Sequence, residues 1–135
     1  MKLIEVKQKQ TSAPAGSITA VMGPQPLHID GNFYCERTKI TSLAGAPQHV
    51  GGSFYCSDTK ITSLANVHKI IKQVNGQFWA PKATNMLGLL LIRGIKAISV
   101  VGNDQLSDLL TAHIGDVYLG QQALLDAGYV EQARL

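Results

Sequence analysis

Long apolar runs are missing from this chain: the longest, Met86 to Ile92, contains Gly88 and falls far short of the roughly 20 residues that a membrane-spanning helix requires. The opening stretch, Met1 to Gln10, mixes Lys2, Glu5, Lys7 and Lys9 among apolar residues. That pattern argues against the apolar heart of a secretory signal, so a cytoplasmic location with no membrane partner is expected. Cysteine is scarce, with only Cys35 and Cys56, and in a cytosolic protein two such residues are expected as thiols rather than as a disulfide. Acids are scarce over most of the length: residues 1–102 hold four against eleven Lys or Arg, while residues 103–135 hold five against one Arg. The first part is therefore basic and the tail acidic, a polarity hidden by the net charge of +3. With 135 residues, 45% of them hydrophobic and 16% charged, the composition is that of a soluble globular protein, read as a single domain over 1–135.

What the chain does have is a repeat. The stretch "GNFYCERTKITSLAG" starts at Gly31 and "GSFYCSDTKITSLAN" at Gly52, a spacing of 21 residues. The apolar positions run Phe33-x-Cys35-x-x-Thr38-x-Ile40-x-x-Leu43 and then Phe54-x-Cys56-x-x-Thr59-x-Ile61-x-x-Leu64. This is the rhythm of a leucine-rich repeat with Thr at the Asn position, and its period falls within that class's roughly 20–29 residues. Each unit is expected to be one short strand, a turn and a loose return, with Phe and Cys on one strand face and Tyr on the other. The Thr hydroxyl is expected to bond nearby backbone. A worn third copy begins at Gln73: Val74 to Ala80 repeats Val50 to Cys56, with three extra residues in the Asn66 to Gln73 arm and Trp79 in place of Tyr.

The expected fold class is α/β: a short leucine-rich-repeat-like solenoid with a parallel sheet over 28–102 (copies 28–48, 49–69 and a degenerate 73–102), closed by a helical cap. Residues 1–27 read as an N-terminal segment, with an edge strand at Ile4 to Val6 and a loop from Thr11 to Pro26. Met86 to Ile92 and Ile95 to Val100 read as buried, strand-like segments. From Asn103 the apolar spacing changes. Asn103 or Asp104 can cap a helix through Leu106, Leu109, Leu110 and Ile114 that Gly115 stops. A second helix starts after Asp116, uses Leu119, Ala123, Leu124 and Ala127, and stops at Gly128; together the two make a cap over 103–135 that shields the last strand edge.

The repeat copies, the Phe78-Trp79 segment, the "LLLIRGI" run from Leu89 and the "GDVYLGQQALLDAGY" tail from Gly115 resemble small leucine-rich-repeat-like proteins of tailed bacteriophages and prophages. The resemblance covers Leu27 to Leu135. It implies a viral source, a bacterial cytoplasm and interaction with a host or viral macromolecule, and it carries no catalytic residue to transfer.

Little in the sequence points to chemistry. His28 and His49 precede their strands by equal distances, and Cys35 and Cys56 share one repeat position, but a Cys and a His seven residues apart in each copy do not have the close pairing of zinc ligands. The cysteines fall at inward positions, where Cys behaves as a small hydrophobe and not as an activated nucleophile. Gly51 and Gly52 stand before a strand, whereas phosphate-cradling loops follow one and open a helix. Asp104, Asp108, Asp116 and Asp126 fit helix capping and exposed faces better than acid–base work. No catalytic residue, cofactor or metal is expected.

The outward row is the feature that suggests function. Tyr34, Tyr55 and Trp79 occupy the strand position opposite the core, and neighbouring strands lie about 4.8 Å apart, so the three rings are expected to form one stripe. Arg37, Lys39 and Lys60 are expected to border it with positive charge. The first expectation is a non-enzymatic protein-interaction module binding a host factor such as a defence component. The alternatives are nucleic-acid binding, with bases stacked on the rings and phosphate tracked by Lys and Arg, and a homo-oligomer that buries the stripe or the N-terminal edge. The alternative to a binding role is that the chain's own loops, for instance the Thr11 to Pro26 segment, cover the rings, or that the rings only stabilise the sheet as cross-strand pairs.

Overall fold

The computed structural model describes residues 13–135. The strand expected at Ile4 to Val6 lies outside them. The repeat folds into two short strands per copy, not the single strand expected from its apolar spacing. In the first copy these are β1 (His28–Ile29) and β2 (Phe33–Tyr34), in the second β3 (His49–Val50) and β4 (Phe54–Tyr55), and in the third β5 (Gln73–Val74) and β6 (Gln77–Ala80). A final strand, β7, covers Ala97–Val100. The strands form two parallel sheets, β1-β3-β5 and β2-β4-β6-β7, neither closed into a barrel.

Glycine explains the extra corner. The backbone at Gly51 passes so close beneath Asp30 that a Cβ there would run into the Asp30 carbonyl oxygen. At Gly76 the neighbour is Ser53 together with the Gly52 backbone. The corners stack through Gly51 N–H to Ile29 O (2.7 Å), Gly52 N–H to Gly31 O (2.9 Å) and Gly76 N–H to Gly52 O (2.9 Å). Only a residue without a side chain permits that approach, so the bend that separates one sheet from the other is written in the corner glycines and not in the apolar spacing.

Copies lie over one another in register: Phe33 pairs with Phe54 and Phe54 with Phe78, while Tyr34, Tyr55 and Trp79 follow one residue on. The core is a set of identical rungs. Phe33, Cys35, Ile40 and Leu43 of the first copy are buried, as are Phe54, Cys56, Ile61 and Leu64 of the second. Phe33 meets Phe54 tilted at 5.1 Å and Phe54 stacks on Phe78 at 4.9 Å, in the range where aromatic pairs add to plain burial. The turn threonines act as expected, Thr38 Oγ1 donating to Cys35 O (2.7 Å) and Thr59 Oγ1 to Cys56 O (3.0 Å). The three extra residues of the third copy are absorbed by a single helical turn, α2 (Val67–Ile70).

Two other segments differ from expectation. The Thr11 to Pro26 stretch contains a helix, α1 (Ile18–Met22), capped by Ser17 and anchored by fully buried Ile18. Met86 to Ile92 is not strand-like: Leu87–Leu91 form a 3-10 helix. Its start is held by the C-terminal tail, with Asn85, Met86 and Leu87 N–H donating to Glu131, Gln132 and Arg134 O at 2.9, 3.0 and 3.0 Å. Partners so far away in sequence override the strand propensity of the run.

The closing helices α3 (Asp104–Ala112) and α4 (Val117–Asp126) start where capping chemistry put them. Asn103 Oδ1 accepts from Leu106 N–H (3.0 Å) and Asp116 Oδ1 from Leu119 N–H (3.1 Å), while Gly115 and Gly128 take positive φ of 85° and 89° just past the ends. The expected face of α4 holds in part: Leu124 is buried, while Ala127 is exposed. Leu119 is exposed, and α4 packs through Gly120 and Leu124, because Gly120 admits Leu90 against the helix backbone. Helix α3 covers the outer edge of β7 by hydrogen bonding. Thr111 Oγ1 accepts from Ile98 N–H (3.0 Å) and donates to Ile98 O (3.0 Å), and Ser107 Oγ accepts from Val100 N–H (2.7 Å). The edge that would otherwise invite another strand is thereby satisfied. None of the described helices is long and apolar enough to cross a membrane.

Candidate functional site

The three outward aromatics come together. Tyr34 and Tyr55 stack with centroids 4.9 Å apart and planes 6° from parallel, and Tyr55 stacks on Trp79 at 6.1 Å and 23°. Parallel pairing at β2-β4-β6 produces this, because in-register strands hold identical positions at a common level. Both ends of the row are pinned by the residue two positions earlier on the same strand face. Asn32 Nδ2 donates to the Tyr34 hydroxyl (2.8 Å) and Trp79 Nε1 donates to Gln77 Oε1 (2.9 Å).

The stripe is open. Tyr34 is 56% exposed, and Tyr55 and Trp79 are half-buried by each other and their strand neighbours. The segment around α1 runs elsewhere, along the return arm of the first copy: Ile18 N–H donates to Ala44 O (2.9 Å) and Thr41 N–H to Gly16 O (2.8 Å).

The basic residues are a looser set. Arg37, Lys39 and Lys60 are exposed beyond the strand ends, and among the described residues none forms an ion pair with a carboxylate or a hydrogen bond to the rings. Lys39 and Lys60 sit on adjacent layers, with Lys60 N–H bonded to Ile40 O (3.0 Å). Arg37 holds a left-handed backbone with φ of 57°, the place taken by Asp58 at 55° one copy on.

The histidines and cysteines stay apart. His28 and His49 lie over each other with centroids 6.1 Å apart, and His28 Nε2 faces Asp30 Oδ1 at 3.0 Å. Cys35 and Cys56 are free, buried thiols on the inner ladder. Burial, and then the Glu36 charge, push the Cys35 thiol up to about 12, and burial also raises Cys56 well above the usual thiol range. Neither is a ready thiolate. Among the described residues no group of three or more His, Cys, Asp or Glu is gathered as a metal site.

One part of the site was not anticipated. In register with Trp79, the next outward residue is Ser99 on β7, so the aromatic row stops one strand before the sheet does. Between β7 and α3 a groove of about 480 Å³ opens, lined by Trp79, Ala97, Ser99, Val101, Asp104 and Asp108 among others. Aligning Ala97-Ile98-Ser99-Val100 under Gln77-Phe78-Trp79-Ala80 would have shown the missing ring; the loss of regular spacing after Pro81 concealed it. Comparison with protein-family models, with curated proteins and with solved structures finds no match.

Proposed function

We propose that this chain is a non-enzymatic protein-interaction module: a short, leucine-rich-repeat-like solenoid, capped by α3 and α4, that presents Tyr34, Tyr55 and Trp79 to a protein partner. The observation that carries this is the stacked row of three rings, uncovered among the described residues, on the parallel sheet. Pre-stacked aromatics have little ordering entropy left to lose, and Tyr and Trp dominate binding hot spots. The resemblance to bacteriophage proteins makes the partner a macromolecule of the bacterial host, such as a component of a defence system, with the basic residues Arg37, Lys39 and Lys60 steering the encounter.

The same geometry argues against bases slotted between the rings and leaves only the two ends of the row for stacking. A base held between two rings needs roughly 7 Å of separation, twice the ~3.4 Å rise of stacked bases, whereas these rings stand 4.9 and 6.1 Å apart. The test is paired. Affinity capture from bacterial lysate with mass spectrometry is expected to give a partner that the wild-type chain retains and a folded Tyr55→Ala, Trp79→Ala variant loses. Gel shifts with single- and double-stranded nucleic acid across a salt series are expected to stay flat. Steeply salt-dependent retardation would replace the protein partner with a nucleic acid.

A further inference from the structure

Among the described residues the aromatic row has two uncovered end faces, one on Tyr34 and one on Trp79. Because Tyr55 covers one side of the Trp79 indole, the other side is turned toward Ser99, where a small residue stands in place of a fourth ring. The groove there is aromatic on one wall, has Ala97, Ser99 and Val101 along β7, and has Asp104 and Asp108 on α3, one helical turn apart. Neither carboxylate has a cationic partner among the described residues. Ser107 and Thr111, which also line the groove, already use their hydroxyls on β7, and the indole N–H is taken by Gln77.

The vacancy therefore asks for a flat group that continues the stack and carries positive charge. We propose that this slot receives an arginine side chain from the surface of the protein partner, its guanidinium stacked on the free face of Trp79 and its N–H donors turned to Asp104 and Asp108. This rests on the protein-interaction function above and names the chemistry by which the surface chooses its partner. Guanidinium fits better than ammonium. It is planar, it stacks on aromatic faces and it offers several donors to carboxylates, whereas the lysine head is compact and strongly hydrated. The position also agrees with the charge polarity of the chain, since the groove lies where the acidic tail begins.

The only tryptophan of the chain is Trp79, so proton–nitrogen correlation spectra carry a single indole resonance that reports on the slot. The probe is acetyl-Gly-Arg-Gly-amide at low salt, compared with the lysine and citrulline counterparts. The arginine peptide is expected to shift the indole signal saturably, the lysine peptide to bind several-fold more weakly, and neutral, isosteric citrulline roughly tenfold more weakly. An Asp104→Asn, Asp108→Asn pair on the exposed helix face is expected to weaken arginine binding roughly tenfold with an unchanged fold. Ser99→Tyr, which fills the slot with a ring, is expected to abolish it. Equal binding of citrulline and arginine, no saturable shift with arginine, full affinity in the Asp-to-Asn pair, or a saturable shift with the neutral disaccharide cellobiose would each overturn the proposal. If partner capture depends on Tyr55 and Trp79 but the peptide leaves the indole untouched, the slot is wrong and the interaction surface stands. Peptide binding beside stripe-independent capture separates them in the opposite sense.

Discussion

Replacing Thr111 by Val keeps the side-chain shape and removes the hydroxyl that satisfies both the N–H and the C=O of Ile98. No cavity forms, so the loss comes almost entirely from two orphaned backbone groups on the edge strand. A buried polar group left without a partner costs about 1–3 kcal/mol. These bonds are only partly buried, which places the pair near the low end, about 2 kcal/mol in total. Ser107→Ala removes the acceptor for Val100 N–H and is expected to cost about 1 kcal/mol. Together they would remove about 3 kcal/mol from a domain whose whole stability is expected at about 5–15 kcal/mol. Urea unfolding followed by circular dichroism measures this, with an unchanged slope as the sign that only stability has moved. Hydrogen exchange supplies the local readout, because the Ile98 and Val100 amides should lose protection in the variants. A Thr111→Val cost below about 0.5 kcal/mol, with Ile98 still protected, would refute the idea that α3 terminates the sheet through its hydroxyls.

Three further outcomes follow from local features. Arg37→Asn relieves a long side chain held at φ of 57°, and because Asn tolerates that region it should raise stability by about 0.5–1 kcal/mol in urea unfolding. Gly51→Ala forces a Cβ onto the Asp30 carbonyl, whereas Gly31→Ala meets open space; the first should lower the melting temperature clearly and the second hardly at all. The thiols of Cys35 and Cys56 are raised by burial, so the folded state holds protons that the unfolded state releases. Stability is undiminished by the thiols below their ordinary pKa of 9.0 and declines as pH rises above it, for Cys35 toward about 12, by up to about 1.4 kcal/mol per pH unit for that thiol, with Cys56 acting in the same direction. A Cys35→Ala, Cys56→Ala variant, with the residue that Ala80 already places on that rung, should show a shallower alkaline decline. Both thiols should also react slowly with iodoacetamide until the chain is unfolded.

What could be read from the sequence was whatever local spacing encodes. Strand alternation put Phe33, Cys35, Phe54 and Cys56 inside and the tyrosines outside, and cap chemistry located Asn103, Asp116 and their glycine stops. The stacked row of Tyr34, Tyr55 and Trp79 was legible for the same reason, since a repeat in register projects one residue into one line. What escaped depends on distant partners. The second strand of each copy arises from backbone contact at Gly51 and Gly76 across neighbouring layers, which apolar spacing does not register. Leu87–Leu91 became helical under hydrogen bonds from a tail more than forty residues later. Leu119 looked like a core residue by periodicity, but Gly120 is what lets α4 approach Leu90, and it takes the place beside Leu124 in the buried face. The groove beside Trp79 needed both effects, a missing ring on β7 and a helix docked along it.

The central claim, that the ring row is the partner-binding surface, is tested most directly by calorimetric titration of the captured partner against single alanine variants of Tyr34, Tyr55 and Trp79, each with its thermal transition recorded. Losses of at least about 2 kcal/mol in binding at Tyr55 and Trp79, in variants that remain folded, are expected. Undiminished affinity in a folded Trp79→Ala chain would contradict it.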